Sequence, residues 1–326
     1  MARYVLGRVA SSLVVLVLST ILVFIVISVS GDPLAELRDR QPPVSESVLD
    51  AEEARLGLDR PLPERYVTWI TGLAQGDWGP STVATRDIGV ELASRVGVTL
   101  RLVSVAVGIA LILGLLIGTV SGLTQRRLFD NVFTPVTFLF LALPSFWLAV
   151  ILKQWGILVN SAVGANVFAT VGANSPQRPT DFWGLVADSA AHLVLPTIAL
   201  ILIHFAAWSR YQRGSIVDAL ASDHVRFAVL KGLSRRRVIS AYVVRPSLVP
   251  FVTIVALDLP VLFSGAVITE SVFQWRGMGS FLIESINLRD TNAVLGWLLI
   301  ASCAVIAFNL LADLLYGLID PRIRHD

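Results

Sequence analysis

Six separate stretches of about 20 mostly apolar residues constrain this chain more tightly than anything else in it. At about 1.5 Å of rise per residue, a helix of that length crosses roughly 30 Å of hydrocarbon. Inside lipid only helices and closed barrels satisfy their own backbone polar groups, and runs this long and continuous suit helices. The stretches lie near residues 9–29, 99–123, 132–152, 192–208, 248–272 and 293–315. With 55% hydrophobic residues, 15% charged and a mean hydropathy of +0.72, the chain reads as an all-α polytopic membrane protein with six transmembrane helices, not a soluble enzyme. A net charge of +2 leaves no basic footprint for nucleic acid.

Lys and Arg in short loops stay on the cytoplasmic side. Arg3 and Arg8 precede the first span, Arg126 and Arg127 follow the second, eight basic residues fall within 210–245, and Arg322 and Arg324 close the chain. A six-span path puts all of them on one side, which predicts two cytoplasmic termini and a large extracytoplasmic loop after the first helix. Loops as long as 30–95 cross largely regardless of charge, so its Arg residues do not count against this. The expected organisation is an N-terminus and first helix over 1–29, the extracytoplasmic region over 30–95, a five-helix core over 96–320, and a cytoplasmic tail over 321–326. Ser28, Val29 and Ser30 imitate a signal-peptide cleavage site, but the apolar run before them exceeds the usual span of about 7–15 residues, which favours a retained anchor.

The region 30–95 carries its own apolar spacing, Tyr66, Trp69, Ile70 and Leu73, which predicts a helix folded against the outer face. A second external loop over 156–191 contains Pro176 and Pro179. No phosphate-binding glycine loop, zinc-protease motif, nucleophile elbow or cysteine cluster occurs, and His192, His204, His224 and His325 lack ligand spacing, so neither catalytic residues nor a metal site is expected. Cys303 is the single cysteine and lies in the last span, where it acts as a small hydrophobe.

Between the fourth and fifth spans lies a polar, basic insert, residues 222–238 (SDHVRFAVLKGLSRRRV). Ser222 or Asp223 suits a helix N-cap, and Gly232 suits the left-handed residue after a helix end, which predicts a helix of about nine residues within 222–232. At 100° per residue, Val225, Ala228 and Val229 share one side while Phe227 and Leu230 lie opposite. One side can rest on the chain's own helices and the other can enter a groove on a cytoplasmic protein. A basic loop resting on anionic headgroups is the competing reading. Ser234 is expected to cap a second short helix leading through Arg235, Arg236 and Arg237 into the fifth span.

At these residues the chain resembles the permease subunits of bacterial ABC importers, whose cytoplasmic loop Glu-Ala-Ala-x3-Gly forms a coupling helix. Arg226, Phe227, Ala228 and Gly232 occupy the Glu, Ala, Ala and Gly positions, and Ala228 and Gly232 agree with the general form. The longer stretch is more similar to the dipeptide/oligopeptide branch, where Asp-Tyr-Val-Arg-x-Ala-x-x-Lys-Gly-Leu-Ser is typical. Similarity to the B-type permease of that branch extends to residues 57–66 (GLDRPLPERY), 76–79 (GDWG), 143–147 (LPSFW), 265–270 (GAVITE) and 320–322 (DPR). Arg276 stands where the family usually has Pro.

The resemblance implies a type I ABC importer permease fold in the bacterial inner membrane. It implies a second, related permease, two ATPase subunits or one fused ATPase that bind the ATP and Mg, and an extracytoplasmic binding protein that delivers di- or oligopeptides. Coupling to the ATPase would fall to Arg226, Phe227, Ala228, Leu230, Lys231 and Gly232. Within the spans Ser145, Asp258 and Glu270 are candidates for the translocation path, since an ionised carboxylate at mid-membrane costs about 2.5–3.5 kcal/mol unless it faces protein or water. For Asp258 a hydrogen bond to a neighbouring helix is the competing reading, and for Glu270 an anchoring role at the outer end of its span. Pro144 and Pro260 are expected to interrupt their spans, Lys153 to reach the membrane interface, and His204 to pack. An ion-coupled secondary transporter using Asp258 is the alternative function; it would need more buried ionisable groups than this chain shows.

Overall fold

The computed structural model describes residues 2–83 and 85–319, and among these there is no strand. The helices are α1 (Ala2–Ser30), α2 (Ala35–Arg38), α3 (Glu46–Leu56), α4 (Leu62–Leu73), α5 (Ile88–Leu123), α6 (Leu128–Ala142), α7 (Ser145–Val163), α8 (Phe182–Ala221), α9 (Asp223–Leu230) and α10 (Arg235–Arg237). A π-helical turn (Val238–Val244) leads from α10 into α11 (Arg245–Val272), followed by α12 (Met278–Asn287) and α13 (Thr291–Ile319). Six helical segments are long and apolar enough to cross a membrane: Val9–Ser30, Ile88–Leu123, Ser145–Val163, Phe182–Ala221, Arg235–Leu259 and Thr291–Leu310. The 320–322 motif, His325, and the Arg322 and Arg324 used for orientation lie outside the described residues. Two compact units result, one of Met1–Thr99 with Arg276–Ile306 and one of Leu100–Trp275 with Ala307–Asp326.

In the first unit, α4 lies on α1. Phe24, Trp69 and Leu295 form a buried cluster that Tyr66 and Leu73 join, the Phe24 and Tyr66 rings meet edge-on at 5.4 Å, and the Tyr66 and Thr20 hydroxyls are 3.0 Å apart. Three of the four spaced residues therefore face inward; Ile70 is exposed. The region expected to be a loop over 30–95 is largely helical, and its end belongs to α5, which starts at Ile88 and not near 99. Hydropathy hid those turns because they carry charge, yet Asp87 Oδ1 accepts the Val90 N–H at 3.0 Å, Ile88 and Leu92 are buried, and Glu91 accepts from Arg95 one turn on. Around them Arg86 donates to Glu91 at 2.6 Å, lies 3.4 Å from Glu284 and 3.7 Å from Asp290, and stacks over Phe281. Asp290 accepts from the Ser81 hydroxyl and from the Ala293 N–H, which opens α13. Burial nevertheless pushes the Asp290 carboxyl above the usual carboxylate range.

In the second unit, α6 and α7 both run antiparallel along α8. Asp130 meets Arg213, Phe140 meets Phe205, Ala149 packs with Leu195 and Ala199, and Gly156 abuts Leu195, so contacts move steadily along α8 in one direction. Together they make one antiparallel run beside α8, broken in the middle. The third span expected over 132–152 is thus two helices, parted where Leu143 and Pro144 are both extended, with ψ of 132° and 135°. Proline disfavours helical geometry in the residue before it and lacks the N–H that would continue the ladder. Pro260 does not act this way, since α11 stays helical across it.

The fourth span, expected over 192–208, is the 40-residue α8. At 1.5 Å per residue such a helix is about 60 Å long, twice the hydrocarbon thickness. Its polar ends, from the Asp181 carboxylate accepting the Gly184 N–H to Gln212 and Arg213, lower the hydropathy without ending the helix. The α7 helix likewise runs on to Val163 and ends on left-handed Gly164, so the loop expected over 156–191 shrinks to 164–181.

Candidate functional site

Residue Ser222 alone separates α8 from α9. Its backbone is extended (φ −75°, ψ 150°), which turns the chain out of one helix and into the next. Its hydroxyl donates back to the Ala219 carbonyl at 2.5 Å, so the expected side-chain cap of α9 is not formed. Asp223 occupies the first turn, where a carboxylate suits the positive helix end, and lies 3.5 Å from Arg226. At the far end Gly232 has φ +74°, with its N–H on Val229 O (2.9 Å) and the Leu233 N–H on Ala228 O (3.3 Å). This pair of bonds closes a helix through a left-handed residue, a geometry that costs any residue with a Cβ roughly 1–2 kcal/mol. Ser234 holds the N-cap position of α10, again without a side-chain bond.

One side of α9 is fixed to the body of the second unit. Val225 and Ala228 join Ile216, Ala219, Val238 and Val243 in a buried cluster, which joins the end of α8 to the π-helical turn. His224 Nε2 lies 3.0 Å from the Tyr242 carbonyl, which can only accept, so that nitrogen carries the proton. The opposite side is bare: Phe227 is 62% and Leu230 80% exposed, with exposed Arg226 and Lys231 beside them. Val229, expected with Val225 and Ala228, is exposed too. A seam made by residues three apart centres between them, which leaves Val229 about 70° away at the edge. The basic residues Arg235, Arg236 and Arg237 are exposed next in the chain.

The three path candidates inside the spans sit in different environments. Asp258 Oδ2 accepts the indole N–H of fully buried Trp208 at 2.7 Å, and the Trp208 and His204 rings are 5.8 Å apart. Glu270 is wholly buried and its carbonyl accepts the Trp275 N–H, whereas Ser145 is exposed at the first position of α7. Asp258 and Glu270 stand 12 residues apart on α11, about 18 Å along its axis. The Lys153 ammonium donates to Val272 O at 2.6 Å, the last carbonyl of α11, where a cation complements the negative end of the helix dipole. Among the described residues no group of three or more His, Cys, Asp or Glu is placed to hold a metal ion.

Two features of the second unit go beyond the sequence expectations. Gly114, Gly118 and Gly122 form a stripe on α5 that admits α8 closely; a Cβ at Gly118 would stand 2.5 Å from Ser209 O and one at Gly122 2.6 Å from Ile216. The small-x3-small spacing is a readable signal for close helix approach in membranes. Beside it, Asp130 accepts two bonds from Arg213 (2.6 and 2.9 Å) and one from Ser121 (2.5 Å), and Gln212 Nε2 donates to Thr119 and Ser247 at 3.1 Å each, tying α5, α8 and α11. The α8 helix is thus gripped on several sides just before it delivers α9.

Comparison with known proteins bears on this arrangement. The family described as "Binding-protein-dependent transport system inner membrane component" matches residues 110–325, and the one described as its membrane-component N-terminal part matches residues 1–89. The chain is 37% identical over 324 residues to the oligopeptide transport system permease protein OppB of Mycobacterium tuberculosis, covering 99% of each. It is 34% identical over 326 residues to a putative peptide permease protein of Brucella suis, again covering 99% of each. Against the dipeptide transport system permease protein DppB of Escherichia coli K12 it is 32% identical over 343 residues, covering 100% of this chain and 99% of that one. A crystal structure of an amino acid ABC transporter with histidines shares the fold, with a TM-score of 0.51 over 71% of this chain and 94% of that one at 15% identity.

Proposed function

The chain belongs to the inner-membrane components of binding-protein-dependent transport systems, and from that premise we propose that it forms, with a second related permease, the path by which an ATP-driven importer takes up di- or oligopeptides. It is a multi-pass permease of the ABC type. The ion-coupled reading built on Asp258 finds no support among the relatives. Peptide as the substrate class is supported by the names of those relatives, which are oligopeptide, dipeptide and peptide permeases over nearly their whole length. An extracytoplasmic binding protein would deliver the peptide. Both termini and α9 would face the cytoplasm, in keeping with the basic residues around α9.

The observation that carries the coupling role is the two-sided build of α9. Its inner side is locked to the body by Val225, Ala228 and His224, while Phe227 and Leu230 are exposed with Arg226 and Lys231 around them. Apolar side chains left exposed on a helix with a fixed inner face suit a groove on a partner. In this reading the partner is an ATPase subunit that binds ATP and Mg, and its closure on nucleotide pushes Phe227 and Leu230. Ala228 and Gly232 act from behind, one seating α9 on the body and the other ending it. No covalent step falls to this chain. Peptide would move as the helices rock, past Ser145, Asp258 and Glu270 if these line the path in another state.

The test is ATP-driven peptide uptake in proteoliposomes holding the assembled transporter. Phe227→Asp and Gly232→Pro are expected to abolish uptake while the chain still inserts and its partner permease still copurifies. Normal uptake in either variant defeats the coupling role.

A further inference from the structure

The first unit contains a pair of cavities that this reading leaves unused. One, of about 210 Å³, is walled by residues that include Phe24, Arg55, Arg60, Arg65, Trp69 and Asn292. At roughly 30 Å³ per water it holds about seven waters, the room of a single amino-acid residue and well below a drug-sized pocket. Three guanidinium groups share its wall, and their partners differ. Arg55 is satisfied, with two bonds to Glu52 (2.8 and 2.5 Å) and one to Ser81 O (2.7 Å). Among the described residues Arg60 pairs only with Glu64, at 3.8 Å. Arg65 has no ion-pair partner and no side-chain hydrogen bond among the described residues. Its guanidinium lies over the Phe24 ring, 5.8 Å from the centroid, and burial pushes its pKa below the usual range.

Among the described residues, the buried side-chain atom of this wall that lacks a partner is a donor. Trp69, only 5% exposed, lines the cavity, and its indole N–H has no acceptor among the described residues. The carboxylates of the same wall are engaged: Asp77 Oδ1 accepts from the Gly79 N–H at 2.9 Å, and Asp290 from Ser81 and from the Ala293 N–H. What Arg65 and Trp69 lack is an acceptor, and a guanidinium fork is matched by a carboxylate. A second cleft of about 310 Å³ shares Pro33, Leu56 and Thr82 with the first, and Leu34, Leu37 and Leu288 add apolar wall there beside Arg40 and Glu52. A ligand that places a carboxylate beside an apolar side chain would satisfy both.

We propose that this pair of cavities binds a carboxylate carried beside an apolar group, about one amino-acid residue in size, with Arg65 as the cation that holds it. The carboxylate has two possible sources, the free C-terminus of a peptide and an acidic side chain of the docked binding protein. The site rests on the importer reading only for facing the extracytoplasmic side.

The experiment uses the assembled transporter in lipid nanodiscs with the eight tryptophans of this chain labelled as 5-fluorotryptophan, and Trp69→Phe identifies the Trp69 fluorine resonance. N-acetylleucine is titrated against N-acetylleucine amide, which removes the charge and keeps the shape. The acid is expected to shift the Trp69 line and the amide to leave it in place. Arg65→Met should weaken binding at least about tenfold, and Arg65→Lys, which keeps the charge without the fork, by less. A shift produced by the transporter's purified binding protein but by neither small probe, and lost in Arg65→Met, assigns the carboxylate to that protein. Equal response to acid and amide, or no response to any of the three, overturns the proposal. The wild-type acid and amide comparison decides alone if an Arg65 variant does not assemble. Peptide uptake by the same transporter in proteoliposomes separates the two readings: intact uptake without a shift sinks only the pocket, and a shift without uptake sinks only the transport role.

Discussion

Replacing Gly118 by Ala tests how tightly α5 grips α8. The added Cβ would stand 2.5 Å from Ser209 O and 2.7 Å from Gln212 Cβ, one a backbone atom and the other the root of a wholly buried side chain, so neither yields by rotating a side chain. The helices must part by a substantial fraction of an ångström, and a gap of about 0.5–1 Å forfeits a quarter to a half of each dispersion contact along the seam. Overpacking of this sort costs about 1–3 kcal/mol, against about 0.5–1 kcal/mol that Ala gains over Gly within a helix. A methyl group at Gly108, on the same helix, would meet no atom within 4 Å, so Gly108→Ala shows the gain alone. The helix gain is common to both, so the two variants should differ by roughly 1–3 kcal/mol, with Gly122→Ala near Gly118→Ala, and Gly114→Ala milder because its nearest atom is 3.0 Å away. The assay is reversible unfolding by SDS titration in mixed micelles, read as the shift of the midpoint at unchanged slope. Equal midpoints for Gly118→Ala and Gly108→Ala would refute the close approach of α8 to this stripe.

Three other perturbations follow from the same packing. Asp130→Asn strips Arg213 of its ionic partner at a site where Asp130 is 4% exposed; a loss of about 1.5–3 kcal/mol is expected in the SDS titration, with Arg213→Met adding little to it. Lys153→Met removes the cation from the last carbonyl of α11 and should cost about 0.5–2 kcal/mol, while Lys153→Arg keeps most of it; equal loss in both would deny the capping role. Asp290 has its carboxyl raised by burial, so the folded state binds the proton more tightly than the unfolded one. Stability from this group is full below about pH 4 and is lost as pH rises through the raised value, and Asp290→Asn should flatten that part of the stability curve; an unchanged slope counts against it.

What could be read from the residues alone divides along a physical line. The six crossings, the α4 helix with Tyr66, Trp69 and Leu73, and the left-handed Gly232 are written in the length, period or conformational freedom of one short segment. The break at Leu143 and Pro144 is local too, yet its neighbours keep enough hydropathy to hide two helices as one. What escapes reading needs two distant segments at once: Ser81 and Asp290 are 209 positions apart, and Trp208 and Asp258 are 50. The glycine stripe lies between these cases, since its spacing is visible and its partner is not.

The same distinction applies to α9. Its outer residues can be named from spacing, whereas its attachment to α8 and to the start of α11 is a property of the packed unit. Only Ser222 lies between α8 and α9, and Val225, Ala228 and His224 tie α9 to the π-helical turn that opens α11. A partner that displaces Phe227 and Leu230 must therefore either break that buried cluster or carry the ends of both long helices with it. The Trp208 to Asp258 bond bridges those two helices again, about 20 Å along each from the end that meets α9. With the pair joined at both levels through a close-packed seam, separating them costs more than moving them together, so a push on α9 would displace α8 and α11 as one body.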